Sequence, residues 1–355
     1  MSMTTEKTVP LGVVVGAGSI GRRHALALAR RCERMIVVDP SDDARRWVEA
    51  HAGVPVTTAA TLDPALEGVA SEASKAIAVI ANWGPDHAET FHALVDAGFT
   101  RLLCEKPLAH SPWAAWQIAR RAEREGLRLT FGMYLHYAGL HSFLRNELAE
   151  RAGGEAVMLS VHGGAQCLVT NGIHFLDLAC GVFGEEPQAV WAETTDGRIN
   201  PRSPDLGFWA GTAVWSFSNA RSAAITLSNQ SSVSSAMHVY GPTGRVDLAS
   251  VSGLDRPISV GSRDPREISR DPRVTRVGDL TTVTTYTRGF IDQSDSTERQ
   301  FDELEGTTQL SYPPSRAAAV LEALLAALAS SDEGRRIALP LSPEDPVFER
   351  EWAAS

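Results

Sequence analysis

A glycine-rich segment near the N-terminus has the residue types and spacing that hold a phosphate group. Gly16, Gly18 and Gly21 form a G-x-G-x-x-G pattern after the apolar run Leu11–Val15, and a helix-like stretch rich in Ala and Leu follows them. In this context the first glycine makes a tight turn, the second lets a pyrophosphate approach the backbone, and the third allows close helix–strand packing. The helix N-terminus adds free N–H groups and a partial positive charge. The pattern predicts a dinucleotide site, and a glycine turn that binds no nucleotide is the alternative.

An acidic residue follows the next predicted strand. Asp39 stands where an acidic side chain meets the adenosine ribose of a dinucleotide. Its carboxylate would accept a hydrogen bond from the ribose 2′-hydroxyl and would repel a 2′-phosphate. Asp42 and Asp43 add negative charge nearby, and Arg45 and Arg46 are the nearby positive charges that offset it. The sequence therefore favours NAD over NADP as cofactor.

A lysine closes a later predicted strand. The segment Arg101–Lys106 is strand-like and runs into Pro107. In a doubly wound sheet the carboxyl ends of the strands face the ligand crevice, so we expect Lys106 to point at the cofactor. An exposed loop lysine is the alternative, since lysines are seldom buried.

Three polar residues in a later apolar stretch could lie on one helical face. Thr170, His174 and Asp177 have the spacing i, i+4, i+7. An imidazole titrates near neutrality and can exchange a proton with a substrate hydroxyl. A structural histidine is the alternative. A zinc site with Cys167 and Cys180 lacks recognisable ligand spacing, so no metal is predicted.

The elements that must position these residues fall into two groups. Up to residue 133, apolar strands alternate with helical patterns, which predicts a parallel sheet with both faces covered. Beyond it come two helices and a run of strand-like segments in which apolar and polar residues alternate, and a last helix starts at Pro314. We therefore expect a doubly wound α/β domain over 1–133 and an α+β domain over 134–355. The second domain would carry a large, mostly antiparallel open sheet whose uncovered apolar face favours a homo-oligomer.

The sequence patterns predict the bounds of individual strands and helices. In the first segment the strands are 11–15, 35–39, 77–81, 101–106 and 128–132, and the helices 20–31, 86–97 and 112–125. In the second segment the helices are 139–149, 170–183 and 314–329, and the strands 155–162, 188–194, 209–217, 222–227 and 237–240, with a turn at 241–244.

The composition of the chain argues against several classes of protein. The 355 residues carry a net charge of -10, so a general nucleic-acid or anionic-membrane surface is not expected. The four cysteines are far apart and without C-x-x-C spacing, which argues against a disulfide framework. No apolar run approaches the roughly 20 residues of a membrane span, and the N-terminus lacks the apolar region of a signal peptide. A soluble, cytoplasmic protein is expected.

Taken together, the motifs resemble the Gfo/Idh/MocA family, which includes glucose–fructose oxidoreductase and inositol dehydrogenase. The matching segments, in chain order, are Gly16–His24, Ala81–His87, Glu105–Pro107, Gly172–Asp177, Gly241–Gly244 and Ser331–Pro340. The resemblance covers most of the chain, and Glu-Lys-Pro is its most specific motif. It implies a Rossmann domain followed by an α+β domain with an open sheet.

The resemblance also implies roles for individual residues. Lys106 would hydrogen-bond the cofactor and the reacting hydroxyl, and His174 would be the acid/base. The family usually has an aspartate where this chain has Thr170, which leaves the orienting role open to Asn171 or Asp177. The expected substrate-binding residues are Tyr134, Thr170, Asn171, His174, Asp177 and Lys106. The expected cofactor-binding residues are Gly16, Gly18, Ser19, Ile20, Gly21, Asp39, Asn82, Trp83, His87, Glu105 and Lys106.

The activity that follows is hydride transfer between a sugar carbinol carbon and nicotinamide. The substrate would be a free sugar, an inositol or a nucleotide-linked sugar. A non-catalytic protein that senses NAD or a sugar on the same fold is the alternative, and Thr170 is its best support. A carbonyl reductase acting on a non-sugar substrate is not separated from these by sequence.

Overall fold

The chain forms two compact units. The computed structural model describes residues 7–164, 166–195, 199–200, 202–251, 255–264, 278–290 and 292–354. The first unit comprises residues 1–134, 293–322 and 344–355, and the second comprises 135–292 and 323–343. The first long segment ends where the sequence predicts a boundary. Two later segments, expected within a domain 134–355, instead pack in the first unit.

Six parallel strands form the sheet of the first unit. They are β1 (Val9–Val15), β2 (Cys32–Val38), β3 (Val56–Ala59), β4 (Ile77–Ile80), β5 (Arg101–Cys104) and β6 (Arg128–Phe131). Their order is β3-β2-β1-β4-β5-β6, so the strand order reverses between β1 and β4. Ligands of doubly wound sheets bind at the carboxyl ends of the strands beside such a reversal. The predicted doubly wound parallel sheet is confirmed.

Five helices connect these strands. They are α1 (Ser19–Ala29), α2 (Asp42–His51), α3 (Leu62–Leu66), α4 (His87–Asp96) and α5 (Pro112–Glu125). The sequence patterns predict α1, α4 and α5 within about two residues, but α2, β3 and α3 were not predicted. Ser41 caps α2 by accepting a hydrogen bond from the Ala44 amide at 3.3 Å, and two aspartates occupy the first turn. This is a recognisable helix start.

The next elements along the chain supply most of the second unit. They are α6 (Tyr134–Tyr137), α7 (Leu140–Arg151), β7 (Met158–Gly164), α8 (Gly172–Phe183), β8 (Ala189–Thr195), β9 (Ala210–Ser216), β10 (Ser222–Ser228), β11 (Ala236–Tyr240), β12 (Gly244–Leu248), β13 (Asp255–Ser262) and β14 (Thr282–Gly289). The remaining elements are α9 (Gln293–Glu305), α10 (Pro314–Glu333), β15 (Ile337–Ala338) and α11 (Pro346–Glu349).

The second unit is built on a nine-stranded sheet. Its order is β14-β13-β12-β11-β7-β10-β9-β8-β15. Neighbouring strands are antiparallel except for β7 and β10, which are parallel. The expectation of a large, mostly antiparallel sheet is confirmed, although β12 to β15 were not predicted.

This sheet has one buried face and one open face. One row of directly opposed residues is completely buried: Val190, Trp215, Ala223, Leu159 and Val239. The adjacent row, on the other face, is half-buried or exposed: Trp191, Val214, Ala224, Ser160 and His238. Trp191 in this second row is 46% exposed, whereas Trp215 is buried and donates from Nε1 to the Ala323 carbonyl at 3.0 Å.

Helix α9 completes the core of the first unit. Phe301 and Leu304 are fully buried in the cluster that also contains residues of β1 and α1. At the end of α1, Arg31 forms ion pairs with Glu298 at 2.7 Å and with Glu305 at 2.8 Å. A segment almost 270 residues away in sequence is therefore part of the dinucleotide-type unit.

Candidate active site

The three glycines of the G-x-G-x-x-G pattern differ in what surrounds them. Gly16 has a φ of +90°, and a Cβ there would overlap the backbone of Ala81. A Cβ on Gly21 would overlap the Gly16 carbonyl, whereas a Cβ on Gly18 would meet nothing within 4 Å. The first and third glycines are thus required by the turn and by packing, and the second leaves the backbone open to a ligand.

The N-terminus of α1 is open as well. Gly18 is the N-cap and no side chain caps the helix. Ser19 and Ile20 are its first two residues, the former exposed and the latter half-buried. Backbone N–H groups in the first turn of a helix have no partner within the helix and bind anions well. The loop therefore fits a pyrophosphate.

A groove of about 540 Å³ adjoins this loop. Its lining residues are Ala17, Gly18, Ser19, Arg22, Arg23, Leu26, Asp39, Ser41, Ala44 and Trp47. Asp39 accepts two backbone hydrogen bonds, at Oδ2 from Ala17 N (2.6 Å) and at Oδ1 from Ser41 N (2.7 Å). The Arg22 guanidinium lies 4.9 Å from the centroid of the Trp47 ring. An acidic group beside a flat, amphipathic wall fits the ribose and base of a dinucleotide.

Lys106 follows the carboxyl end of β5. It is half-buried, and the Lys106–Pro107 peptide bond is cis. The chain contains only two other lysines, Lys7 and Lys75, and both are exposed. In a protein that uses arginine for almost every other basic position, a half-buried lysine at the edge where ligands bind stands out.

The residue before it, Glu105, is buried in contact with a histidine of α1. Oε1 of Glu105 is 2.7 Å from Nε2 of His24, and Oε2 accepts a hydrogen bond from the Lys106 amide at 3.2 Å. Burial raises the pKa of the Glu105 carboxyl, but the hydrogen bond and charge of His24 and the charge and amide of Lys106 outweigh it and lower the pKa to about 2. The carboxylate is ionised and can only accept, so His24 carries the proton on Nε2.

His87 is also buried. Its Nδ1 is 2.7 Å from the Pro107 carbonyl oxygen, and its Nε2 is 3.1 Å from the Asn82 carbonyl oxygen. Burial lowers the pKa of this imidazole, although both carbonyl contacts act to raise it. His87 therefore joins the loop after β4 to the loop after β5, and it is not among the residues that line the groove.

The other two residues expected beside the cofactor lie in the loop after β4. Asn82 is half-buried and donates from Nδ2 to Thr90 Oγ1 at 2.9 Å. Trp83 is 49% exposed. This loop lies at the carboxyl end of β4, next to the reversal of strand order.

In the second unit, the polar residues predicted on one helical face lie partly outside the helix. Helix α8 begins at Gly172, so Thr170 belongs to the preceding turn. The Asn171 side chain holds that turn, because its Oδ1 accepts hydrogen bonds from Cys167 N (3.2 Å) and Thr170 Oγ1 (3.4 Å). The turn starts the helix one residue after Asn171, which the period of the sequence does not reveal.

The remaining members of this group are buried. His174 and Asp177 lie on α8 with 6% and 2% of their surface exposed, and the His174 amide donates to the Asn171 carbonyl at 3.1 Å. Tyr134, at the start of α6, is half-buried, and its carbonyl accepts a hydrogen bond from Ser296 at 3.4 Å. Lys106 and Tyr134 belong to the first unit, and His174 belongs to the second.

Several residues of the site were not assigned from sequence. His24 is part of the quoted Gly16–His24 motif, but its buried contact with Glu105 joins residues 81 positions apart. Ser41 and Trp47 line the groove because α2 follows β2, and α2 was not predicted. Arg22 lines the groove from α1. The Ser-Asp-Asp sequence that starts α2 is the signal that would have found it. Among the described residues, no group of three or more His, Cys, Asp or Glu could hold a metal ion.

Comparison with known proteins finds sequence similarity in the first unit. Residues 12–133 match the family model for Gfo/Idh/MocA, described as an oxidoreductase family with an NAD-binding Rossmann fold. Inositol 2-dehydrogenase 3 of Saccharopolyspora erythraea is 32% identical over 157 residues, which are 44% of this chain and 44% of that protein. Glucose-6-phosphate 3-dehydrogenase of Bacillus subtilis is 28% identical over 153 residues, which are 42% of this chain and 41% of that protein. The matches span less than half the length of either relative.

The fold agrees with solved structures over nearly the whole chain. GenD2 from gentamicin A biosynthesis, solved in complex with NAD, superposes with a TM-score of 0.70 and 21% identity, covering 96% of this chain and 98% of that one. Similarity at this level of identity shows a shared fold. Residues 12–133 are thus similar to the NAD-binding Rossmann domain of the Gfo/Idh/MocA oxidoreductase family.

Proposed function

We propose that this protein is an NAD-dependent oxidoreductase that transfers hydride between nicotinamide and a carbinol carbon of a sugar. The substrate class is a free sugar, an inositol or a nucleotide-linked sugar. The observation that carries the proposal is the Asp39 carboxylate at the edge of the groove beside the open glycine loop. The relatives support the substrate class, since their names specify inositol and glucose 6-phosphate.

The residues of the first unit would hold the cofactor by its phosphates and its adenosine. The amides at the start of α1 would bind the pyrophosphate, and Asp39 would accept from the ribose hydroxyls. When bound, NAD supplies the ring that accepts or returns the hydride. The polypeptide itself contributes binding, orientation and proton transfer.

We propose that Lys106 and His174 carry the proton chemistry. Lys106 would donate a hydrogen bond to the reacting oxygen and stabilise negative charge as it develops there. His174 would accept the hydroxyl proton in oxidation and return it in reduction. Thr170, Asn171 and Asp177 would contact or orient the substrate, because each lies within four residues of His174. Tyr134 would do the same, because it follows β6, which pairs with β5, the strand that precedes Lys106.

Absorbance of NADH at neutral pH, with a panel of inositols, hexoses, hexose phosphates and nucleotide sugars, tests the proposal. Loss of a positioned acid/base group typically lowers the rate about 10²–10⁴-fold. We expect Lys106→Met and His174→Asn each to have this effect while NAD binding persists, and Lys75→Met to match the wild type. Wild-type turnover in both Lys106→Met and His174→Asn would refute the mechanism. NAD binding with no turnover on any member of the panel would favour the non-catalytic sensor.

We further propose that the protein is a homo-oligomer and works in a reducing compartment such as the cytoplasm. The open face of the nine-stranded sheet supports the first point, since Trp191 and Met158 are about half exposed on it. The second is supported by Cys32, Cys104 and Cys167, which are buried free thiols. None of the helices in the described part of the chain has the length and apolar content to cross a membrane.

A further inference from the structure

Three elements of the first unit converge on the Glu105 carboxylate. His24 reaches it from the second turn of α1, and the Lys106 amide binds it from the loop after β5. Gly132, just after β6, lies against its other side, where a Cβ would overlap both carboxylate oxygens. Glu105 thus connects the helix that starts at the glycine loop to the backbone of Lys106.

Both members of the pair are buried, and His24 also borders a small cavity between α1 and the start of α9. Glu105 is 7% and His24 is 1% exposed, and neither belongs to the lining of the groove. Phe301 of α9 meets the His24 ring edge-on, with ring centroids 6.5 Å apart. The contacts that the pair makes with Lys106 run through the backbone amide that Glu105 holds.

We propose that His24 and Glu105 form a positioning pair that holds Lys106 in place for the reaction proposed above. This inference rests on the proposed function for its catalytic meaning, but not for its structural test. His24 and Glu105 are positioning residues, because they act through Lys106. The hydrogen bond between His24 and Glu105 also fixes the position of the glycine loop relative to Lys106.

The chemistry of the pair argues for placement over stability. Burying charged groups is expensive, and apolar side chains of similar volume often give equal or greater stability. An apolar pair cannot accept a hydrogen bond from the Lys106 amide, so it cannot fix the direction of the chain at that residue. Misplacement of a catalytic group by about 1 Å can lower a rate about 10²-fold.

The scarcity of lysine offers a direct probe of Lys106. Reductive methylation followed by peptide mass spectrometry reports the reactivity of Lys106, with exposed Lys7 and Lys75 as internal references. Loss of one hydrogen bond to a charged group would raise the population of the loosened loop about tenfold. We expect His24→Leu and Glu105→Gln to raise the labelling of Lys106 relative to Lys75 by about that factor, with Lys7 unchanged.

Two further variants separate positioning from stability. In His24→Gln the side-chain amide can still donate to Glu105, so wild-type labelling should return. In His24→Leu/Glu105→Leu no buried charge is left unpaired, so thermal stability should recover relative to His24→Leu, but the labelling of Lys106 should stay raised. If labelling returned to the wild-type level together with stability, the pair would be structural only and the proposal would fail.

A matched control removes a different ionic contact of the same unit. Arg31→Leu breaks the ion pairs with α9, whose Phe301 also touches His24, but leaves the bond between His24 and Glu105 intact. It should lower the melting temperature without changing the labelling of Lys106. If Arg31→Leu raised the labelling of Lys106 as much as His24→Leu does, labelling would report general loosening of the first unit. That result would overturn the inference.

Kinetics complete the test. With a substrate found in the panel above, His24→Leu should lower kcat about 10²-fold. The dissociation constant for NAD, measured by tryptophan fluorescence, should stay within about threefold because the groove is untouched. Absence of turnover in the wild type would count against the proposed function alone, since the labelling of Lys106 is measured without substrate. Unchanged labelling in His24→Leu would count against the positioning pair alone.

Discussion

The Oδ2 atom of Asp39 lies 2.6 Å from the amide nitrogen of Ala17, so the acid at the end of β2 is fixed onto the glycine loop. The second oxygen is held by the Ser41 amide at 2.7 Å. Both bonds come from the backbone, and each carboxylate oxygen keeps a further lone pair for a ribose hydroxyl. The carboxylate is thereby pre-oriented at the edge of the groove, where a 2′-phosphate would meet its charge.

We therefore predict that NAD binds more tightly than NADP. Titration with each cofactor, followed by the fluorescence of Trp47 and the other tryptophans, measures the difference. Asp39→Ala should reduce the difference in affinity between NAD and NADP, because the repulsion between the carboxylate and the 2′-phosphate is removed. Asp63 is an exposed acid outside the groove, so Asp63→Ala should leave that difference unchanged. Equal or tighter binding of NADP by the wild type would contradict the role given to Asp39.

Thr170, where the resemblance to the Gfo/Idh/MocA family implies an aspartate, lies in the turn before α8. Its hydroxyl donates to Asn171 Oδ1, which also accepts from the Cys167 amide. An ionised carboxylate at position 170 has no proton to donate and would be repelled by the partial negative charge of that amide oxygen. We predict that Thr170→Asp lowers turnover or leaves it unchanged. Thr170→Ser keeps the hydroxyl, so its turnover should stay near that of the wild type. A rise in turnover with Thr170→Asp would indicate that Thr170 marks decay of the site.

The open face of the nine-stranded sheet predicts the state of assembly. Light scattering at micromolar concentration should give a mass above the 38.2 kDa of one chain. Trp191→Glu should lower that mass, because it places a charge on the open face that the proposed assembly would bury. Trp113→Glu is the matched control, since Trp113 is 47% exposed on α5 of the first unit. A wild type of single-chain mass would refute the oligomer.

The ionised Glu105 predicts a pH dependence of stability. Its pKa is lowered in the folded protein to about 2 from an ordinary value of 4.5, so the folded state favours the charged form. The stabilisation is therefore complete above about pH 4.5 and is lost as the pH falls toward 2. The difference in free energy of unfolding between the wild type and Glu105→Gln, measured with urea, should be constant from about pH 7 to 5 and shrink below that.

Glu49→Gln, which alters an exposed carboxylate on α2, should show only a small difference at every pH. A difference for Glu105→Gln that grew with acid would show that the folded state favours the protonated form. That result would reverse the assignment of charge to the buried pair.

Local patterns were sufficient for the parts of the fold that repeat at short range. Alternating apolar runs and helical stretches predicted β1, β2, β4, β5 and β6 with α1, α4 and α5, because a parallel sheet buries both faces of its strands. Period-two alternation predicted β8 to β11 for the same kind of reason, since one face of that sheet is buried and the other is open. The glycine spacing and the Glu-Lys-Pro motif were readable because each depends on neighbouring residues.

Contacts between distant parts of the chain decided the rest. The meeting of His24 with Glu105, the bridge that His87 makes between two loops, and the return of Phe301 to the first core all join segments remote in sequence. No local period encodes such pairings, because they form only when the strands are ordered and helices pack on them. The face of Trp191 was equally hidden: it depends on strand register, and a shift of one residue would exchange it with the buried row that contains Trp215.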